Sequence, residues 1–207
     1  MKSSTLVTLL LRHLSEITAE TFIISVYNSN NKEGNKMKIC LNGVPGVGKS
    51  TIAHYLAKAL SLPHHTEIFN NNPYLTSGPD WRATQFQLNT SYRQFKANNK
   101  GVFEVSPLVS INIFTPAKDH GKIRFMTEKY DYEFYLNASY RTIKNRILSR
   151  NRPGLVDTEL AELPVRLGRY NNFIDNNVPT KQIIDANGSL AEILSEILSS
   201  FTIDIHK

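Results

Sequence analysis

Gly43-Val44-Pro45-Gly46-Val47-Gly48-Lys49-Ser50 is the stretch on which the reading of this 207-residue chain turns. Gly43, Gly48, Lys49 and Ser50 occupy every fixed position of the phosphate-binding loop. Its glycines let the backbone wrap a polyphosphate with N–H groups aimed at the oxygens, and the following helix adds the positive end of its dipole. Lys49 has the reach for β- and γ-phosphates, and the Ser50 hydroxyl is suited to Mg²⁺. The flanks agree. Lys38-Ile39-Cys40-Leu41-Asn42 reads as a strand, and from Ser50 to Leu60 the residues Ile52, Leu56 and Leu60 share one helical face. The nucleotide-binding set is therefore Gly43, Val44, Pro45, Gly46, Val47, Gly48, Lys49, Ser50 and Thr51.

Outward from the loop, strand and helix patterns alternate. Glu67-Ile68-Phe69 is the second strand candidate, and a helix is expected over 80–98 after Gly78-Pro79. Gly101-Val102-Phe103-Glu104-Val105 reads as a buried strand, followed by a strand at 132–136 and a helix capped by Ser139 that carries Ile143 and Ile147. Gln182-Ile183-Ile184-Asp185 makes the last strand, and Ser189-Leu190-Ala191-Glu192 is a capping box opening the final helix. The expectation is an α/β, three-layer fold whose parallel sheet of about five strands is covered by helices on both faces.

Composition narrows the function classes. One cysteine excludes a disulfide framework and a multi-cysteine zinc site. It also fits a reducing compartment, read as the cytoplasm. With 24 basic and 18 acidic residues the net charge is +6, which suits phosphate-bearing ligands. The basic residues form no stripe and no helix-turn-helix is evident, so no nucleic-acid partner is expected. No stretch approaches the ~20 apolar residues of a membrane span. Residues 1–36 read as a dispensable extension ending in the polar linker Asn28 to Lys36, and 37–207 as the catalytic domain. Lys2, Arg12 and the early serines make a mitochondrial presequence the alternative address, against which Glu16 and Glu20 count. The chain has no Asn-Lys-x-Asp base-reading signature of a GTPase switch, and Asp185-Ala186-Asn187-Gly188 comes too late to be its Asp-x-x-Gly.

Thr66-Glu67, Asn72-Pro73-Tyr74-Leu75, Asp80-Trp81, Phe86-Gln87, Glu104-Val105-Ser106 with Phe114, and Arg146-x3-Arg150-Asn151-Arg152-Pro153-Gly154 follow one another in a familiar order. In these motifs the chain resembles the deoxyribonucleoside kinases, which include herpesvirus-type thymidine kinases. The resemblance implies a P-loop kinase that uses ATP with Mg²⁺ to phosphorylate the 5′-hydroxyl of a deoxyribonucleoside, in nucleotide salvage for DNA precursors. It implies Glu67 as the base that takes the hydroxyl proton, and Gln87 as the amide that pairs with the nucleobase edge, with Gln85 its neighbouring competitor. Tyr74 and Trp81 would shape that pocket, and Glu104 with Ser50 would hold the metal. Arg146 would lie on the donor nucleotide, while Arg150 and Arg152, in a lid at about 150–158, would neutralise charge on the transferring phosphoryl group. Family members are commonly homodimers.

The chain departs from the family pattern at three places. Val105 stands where an arginine is usual, Pro153-Gly154-Leu155 replaces the lid glutamates, and the Asn72–Gln87 segment is short and lacks the sugar-contacting tyrosine. Two alternatives follow. A nucleoside monophosphate kinase of thymidylate kinase type would want Asp-Arg in place of Glu104-Val105. A degenerate nucleotide-binding protein would have kept the phosphate loop and lost its acceptor pocket.

Overall fold

The computed structural model describes residues 36–66, 72–74, 80–124, 128–150 and 156–203. Strand β1 (Lys38–Asn42) runs into the glycine loop and helix α1 (Lys49–Ala59), and β2 (His64–His65) follows. Helix α2 (Asp80–Ala97) precedes β3 (Gly101–Glu104) and α3 (Pro107–Phe114). A 3-10 turn at Ala117–Lys122 leads toward β4 (Tyr132–Asn137) and α4 (Tyr140–Leu148). Helix α5 (Val156–Asn177), β5 (Ile183–Asp185) and α6 (Leu190–Ile203) complete the order.

All five strands are parallel, in the order β2-β3-β1-β4-β5. This is the three-layer α/β arrangement that the alternation of elements predicts, with the glycine loop at the carboxyl end of β1. Register explains the layering, because paired residues of parallel strands point to the same face. His64, Val102 and Ile39 stand in line, as do Glu104, Leu41 and Phe134. That face is covered by α1 and α6, and Phe201 of α6 packs edge-on against Tyr132 and Phe134. His65, Phe103, Cys40 and Glu133 line the opposite face, under α2, α3 and α5. Burial on both faces makes the central strands apolar almost without interruption: Ile39, Cys40 and Leu41 are wholly buried.

The second strand lies at His64–His65, three residues ahead of the Glu67–Phe69 candidate, whose own residues are outside the described ones. Helices α3 and α5 have no counterpart in the sequence pattern. In α5, Pro164 sits inside 22 helical residues, where proline removes one backbone hydrogen bond and masks the helical signal. Buried Tyr170 of α5 donates its hydroxyl to the Leu136 carbonyl at 3.1 Å and so ties the helix to the end of β4.

At the start of β3, Gly101 adopts φ +145, and a Cβ there would lie 2.4 Å from the His65 ring and 2.9 Å from the Pro63 carbonyl. Gly101→Ala should therefore lower the unfolding free energy by about 1–3 kcal/mol, read from urea denaturation with an unchanged m-value.

Below α2, the buried cluster of Cys40, Phe95, Phe103 and Tyr130 encloses a carboxyl, because the Tyr130 hydroxyl donates to Glu128. Burial pushes Glu128 up to about 7, against the opposing Tyr130 hydrogen bond and with help from nearby Glu133. The folded state then holds a proton that the unfolded chain releases from about pH 4.5 upward, so stability falls as pH rises toward 7. Glu128→Gln is expected to flatten this slope in melting curves from pH 4 to 8. Allowing for partial exposure, it should add about 1–2 kcal/mol at the upper end.

Candidate functional site

The loop after β1 turns on Gly46, whose φ of +90 is in the left-handed region. A Cβ there would come within 2.9 Å of both Ile143 and Ile147, so α4 packs directly on loop backbone. Lys49 is buried, and its ammonium donates to the Gly43 carbonyl at 2.9 Å and to the Val44 carbonyl at 3.3 Å. Close by, the Ser50 hydroxyl donates to Oε2 of Glu104 at 2.8 Å.

Glu104 closes β3 and is only 6% exposed, so its charge has to be answered locally. Burial alone would raise its pKa. Hydrogen bonds from His64 and Ser50 and the charge of Lys49 outweigh burial and hold the carboxyl below the usual carboxylate range. The His64 ring meets Oε1 through Nε2 at 2.8 Å, and since an ionised carboxylate only accepts, Nε2 carries the proton.

Ser50 and Glu104 thus present a hydroxyl and a carboxylate together, the hard oxygen donors that suit Mg²⁺. Among the described residues no group of three or more His, Cys, Asp or Glu side chains is placed to hold a metal. The pair fits an ion that arrives with nucleotide phosphates, which is the usual way Mg²⁺ is held.

Beside the loop, a cleft of about 340 Å³ is lined by Gly48, Thr51, Arg146, Arg150, Leu190 and Ile193, among others. Arg146 fixes one wall by donating Nη1 to the Val47 carbonyl at 2.6 Å. Arg146 and Arg150 are four residues apart, a spacing that would put both on one helix face, but they do not share a helix. Helix α4 ends at Leu148 with Ser149 as its cap, so Arg150 lies beyond the helix and reaches the cleft from the next turn. Its guanidinium stands 4.0 Å from Glu159 of α5, a loose pair worth at most about 1 kcal/mol. Glu67 and Arg152, expected as base and lid arginine, lie outside the described residues, as do residues 151–155 of the lid expected over about 150–158.

On the other side of the sheet, α2 turns Thr84, Gln87 and Leu88 inward. Gln87 is 4% exposed, yet neither its amide oxygen nor its nitrogen has a hydrogen-bond partner among the described residues. Gln85 is engaged differently. Its nitrogen donates to Asn89 Oδ1 at 3.0 Å and its oxygen accepts the Arg124 amide at 2.6 Å, so it serves as a loop anchor. Thr84 next to Gln87 accepts the Thr115 hydroxyl at 2.8 Å. Asn72 donates to the Ala83 carbonyl and accepts the Tyr74 amide, fixing the segment ahead of the helix. Tyr74 is exposed and sits edge-on to Phe86, while Trp81 is half-buried with the Arg82 guanidinium over its ring.

Three residues with no expected role shape the site. Asn42 accepts the Ser106 amide at 2.7 Å and binds the exits of β1 and β3 together. Val105 takes φ +62, a costly conformation for a β-branched residue, with its side chain buried. His64 is the third. The histidine pair His64-His65 on an edge strand is the only hint of it in the sequence, and its partner is defined by strand order alone.

Among solved structures, deoxyadenosine kinase from M. mycoides with bound dATP superposes with a TM-score of 0.65 at 19% identity, covering 80% of this chain and 100% of that one. Shikimate kinase from Aquifex aeolicus gives 0.52 at 14% identity, covering 82% and 98%, and a gluconokinase from Sinorhizobium meliloti 0.52 at 16%, covering 83% and 96%. Identities this low establish a shared fold. No curated protein sequence matches the chain. The family description "AAA domain" matches residues 39–160, from the middle of β1 into α5 and over more than half of the chain, which therefore belongs to that family of P-loop domains.

Proposed function

We infer that the chain transfers the γ-phosphoryl group of ATP to the 5′-hydroxyl of a deoxyribonucleoside, releasing the 5′-monophosphate. The observation that carries the reading is Gln87, a buried amide with donor and acceptor both unmatched among the described residues. An amide in that state complements a ligand edge that offers one acceptor and one donor side by side, as nucleobases do. A fold that buries such a group gains nothing from it until a ligand pairs with it.

The donor half follows from the loop. Its amides and Lys49 cradle the polyphosphate, and the cleft bounded by Thr51, Arg146 and Ile193 receives the remainder of ATP. When bound with the nucleotide, Mg²⁺ screens the phosphate charge beside Ser50 and Glu104. Glu67 is assigned the 5′-hydroxyl proton, and Arg150 and Arg152 the charge spread over the γ-oxygens, since phosphoryl transfer depends on positioning and electrostatic stabilisation. Buried, uncharged Val105 favours an acceptor without a phosphate of its own over a nucleoside monophosphate. The likeness to deoxyadenosine kinase supports the same reading at the level of the fold.

The test is phosphoryl transfer from ATP by the full chain with Mg²⁺, against the four deoxynucleosides and, separately, their monophosphates. Turnover of a deoxynucleoside is the expected result. Turnover of monophosphates alone, or none with any acceptor, removes the assignment. Two variants sharpen it. Glu67→Gln should lower kcat by about 10²–10⁴-fold while ATP binding by calorimetry stays intact. Gln87→Leu should raise the acceptor KM by about 10–100-fold and, by deleting a buried amide that has no partner among the described residues, raise the melting temperature of the free protein.

A further inference from the structure

We propose that His64 is a positioning residue, holding the Glu104 carboxylate in the orientation in which it and Ser50 receive the metal–nucleotide complex. The proposal rests on the reading of Ser50 and Glu104 as the metal-holding pair. His64 stands level with Val102 in the β2–β3 register. Glu104, two residues further along β3, is its diagonal neighbour on the face that α1 covers. The diagonal brings Nε2 to 2.8 Å from Oε1, while Oε2 accepts from Ser50 at the same distance. Both carboxylate oxygens are therefore fixed from opposite sides, by an edge strand and by the first turn of α1.

The anchoring of the imidazole is firm on its own side. Strand β2 is clamped by the Val102 amide donating to the Pro63 carbonyl at 2.9 Å. The next residue, His65, stacks on Phe103 at 4.5 Å and bonds the Lys100 carbonyl at 3.1 Å. His54 of α1 stands edge-on to His64 with ring centroids 6.4 Å apart. The His64 side chain is 16% exposed and that of Glu104 3%, so the contact is shielded from competing water. Sheet packing gives no reason for an imidazole here, since an apolar side chain would sit equally well beside Val102. What the imidazole adds is a rigid N–H donor aimed at one oxygen. Donors that orient a metal-binding carboxylate from behind typically account for about 10–100-fold in metal affinity.

The experiment measures Mn²⁺ binding by the full chain in the presence of a non-hydrolysable ATP analogue, following free Mn²⁺ by electron paramagnetic resonance. His64→Phe should raise the Mn²⁺ half-saturation concentration by about 10–100-fold, and His64→Gln, which retains an N–H donor, should recover most of the loss. Nucleotide affinity without metal should be unchanged in both. The Mg²⁺ requirement for turnover should shift in parallel, with kcat at saturating metal close to that of the unaltered chain. Glu104→Gln separates the two readings. If it weakens Mn²⁺ binding while His64→Phe does not, the proposal for His64 is overturned and the metal pair stands. If neither variant changes Mn²⁺ binding, the metal assignment falls and the proposal with it. A glutamine variant as weak as phenylalanine also overturns it, because the donated hydrogen bond would then be irrelevant. Thermal melting identifies any variant that fails to fold, in which case His64→Ala replaces phenylalanine under the same criteria.

Discussion

The hydrogen bond from the Ser106 amide to the Asn42 side chain fixes the geometry on which the rest of the site depends. It joins the carboxyl ends of the two central strands at the point where both chains leave the sheet. From Asn42 the backbone enters the phosphate loop, and from Ser106 it enters α3. Between them Val105 is forced to φ +62, and its amide donates to the Leu41 carbonyl at 2.9 Å. A strained β-branched residue persists only where its surroundings over-determine it. Here that over-determination also aims Glu104 at Ser50. The carboxyl edge of a parallel sheet is where open α/β folds collect ligand-facing groups, and this chain builds that edge from an amide, a strained turn and a buried acid.

The sheet also divides the chemistry into two compartments. On the α1 face lie the charged Lys49 and Glu104, with the Ser50 hydroxyl and the His64 imidazole beside them. Beneath α2, away from the Glu128 and Glu133 carboxyls near Tyr130, lie amides and hydroxyls: Gln87, Thr84 and Thr115, with Asn72 nearby. Charged partners stabilise one another strongly in a shielded site, while neutral amides and hydroxyls discriminate by shape and by donor–acceptor order. The separation matches a reaction that moves a highly charged group onto an uncharged acceptor, as inferred above.

Much of this arrangement can be read from the residues before any coordinates. The glycine loop, its lysine and serine, and the strands around Ile39, Val102 and Phe134 follow from local pattern, because spacing and burial report directly on periodicity. The short edge strand was harder to place. Two residues, His64 and His65, carry no alternation, and Glu67-Ile68-Phe69 is the more strand-like run nearby. Helix α5 hides behind Pro164, and α3 is too short and too uniformly apolar to show a helical stripe. Arg150 falls beyond α4 because helix ends are set by capping, which side-chain spacing does not encode. Spacing alone leaves Gln85 a competitor of Gln87; the hydrogen bonds of Gln85 to Asn89 and Arg124 show that Gln85 is already engaged. The His64–Glu104 contact was beyond reach, since it requires knowing that β2 lies beside β3.

Lys49 gives the loop a means of discrimination by charge. Its ammonium donates to two carbonyls of the same loop, and its charge also acts on the nearby Glu104 carboxylate. Any incoming ligand has to exchange those contacts for its own. A hydroxyl or an amide offers no advantage in the exchange, whereas phosphate oxygens form charge-assisted hydrogen bonds roughly twice as strong as neutral ones. The lysine therefore favours polyphosphates over neutral solutes in that exchange.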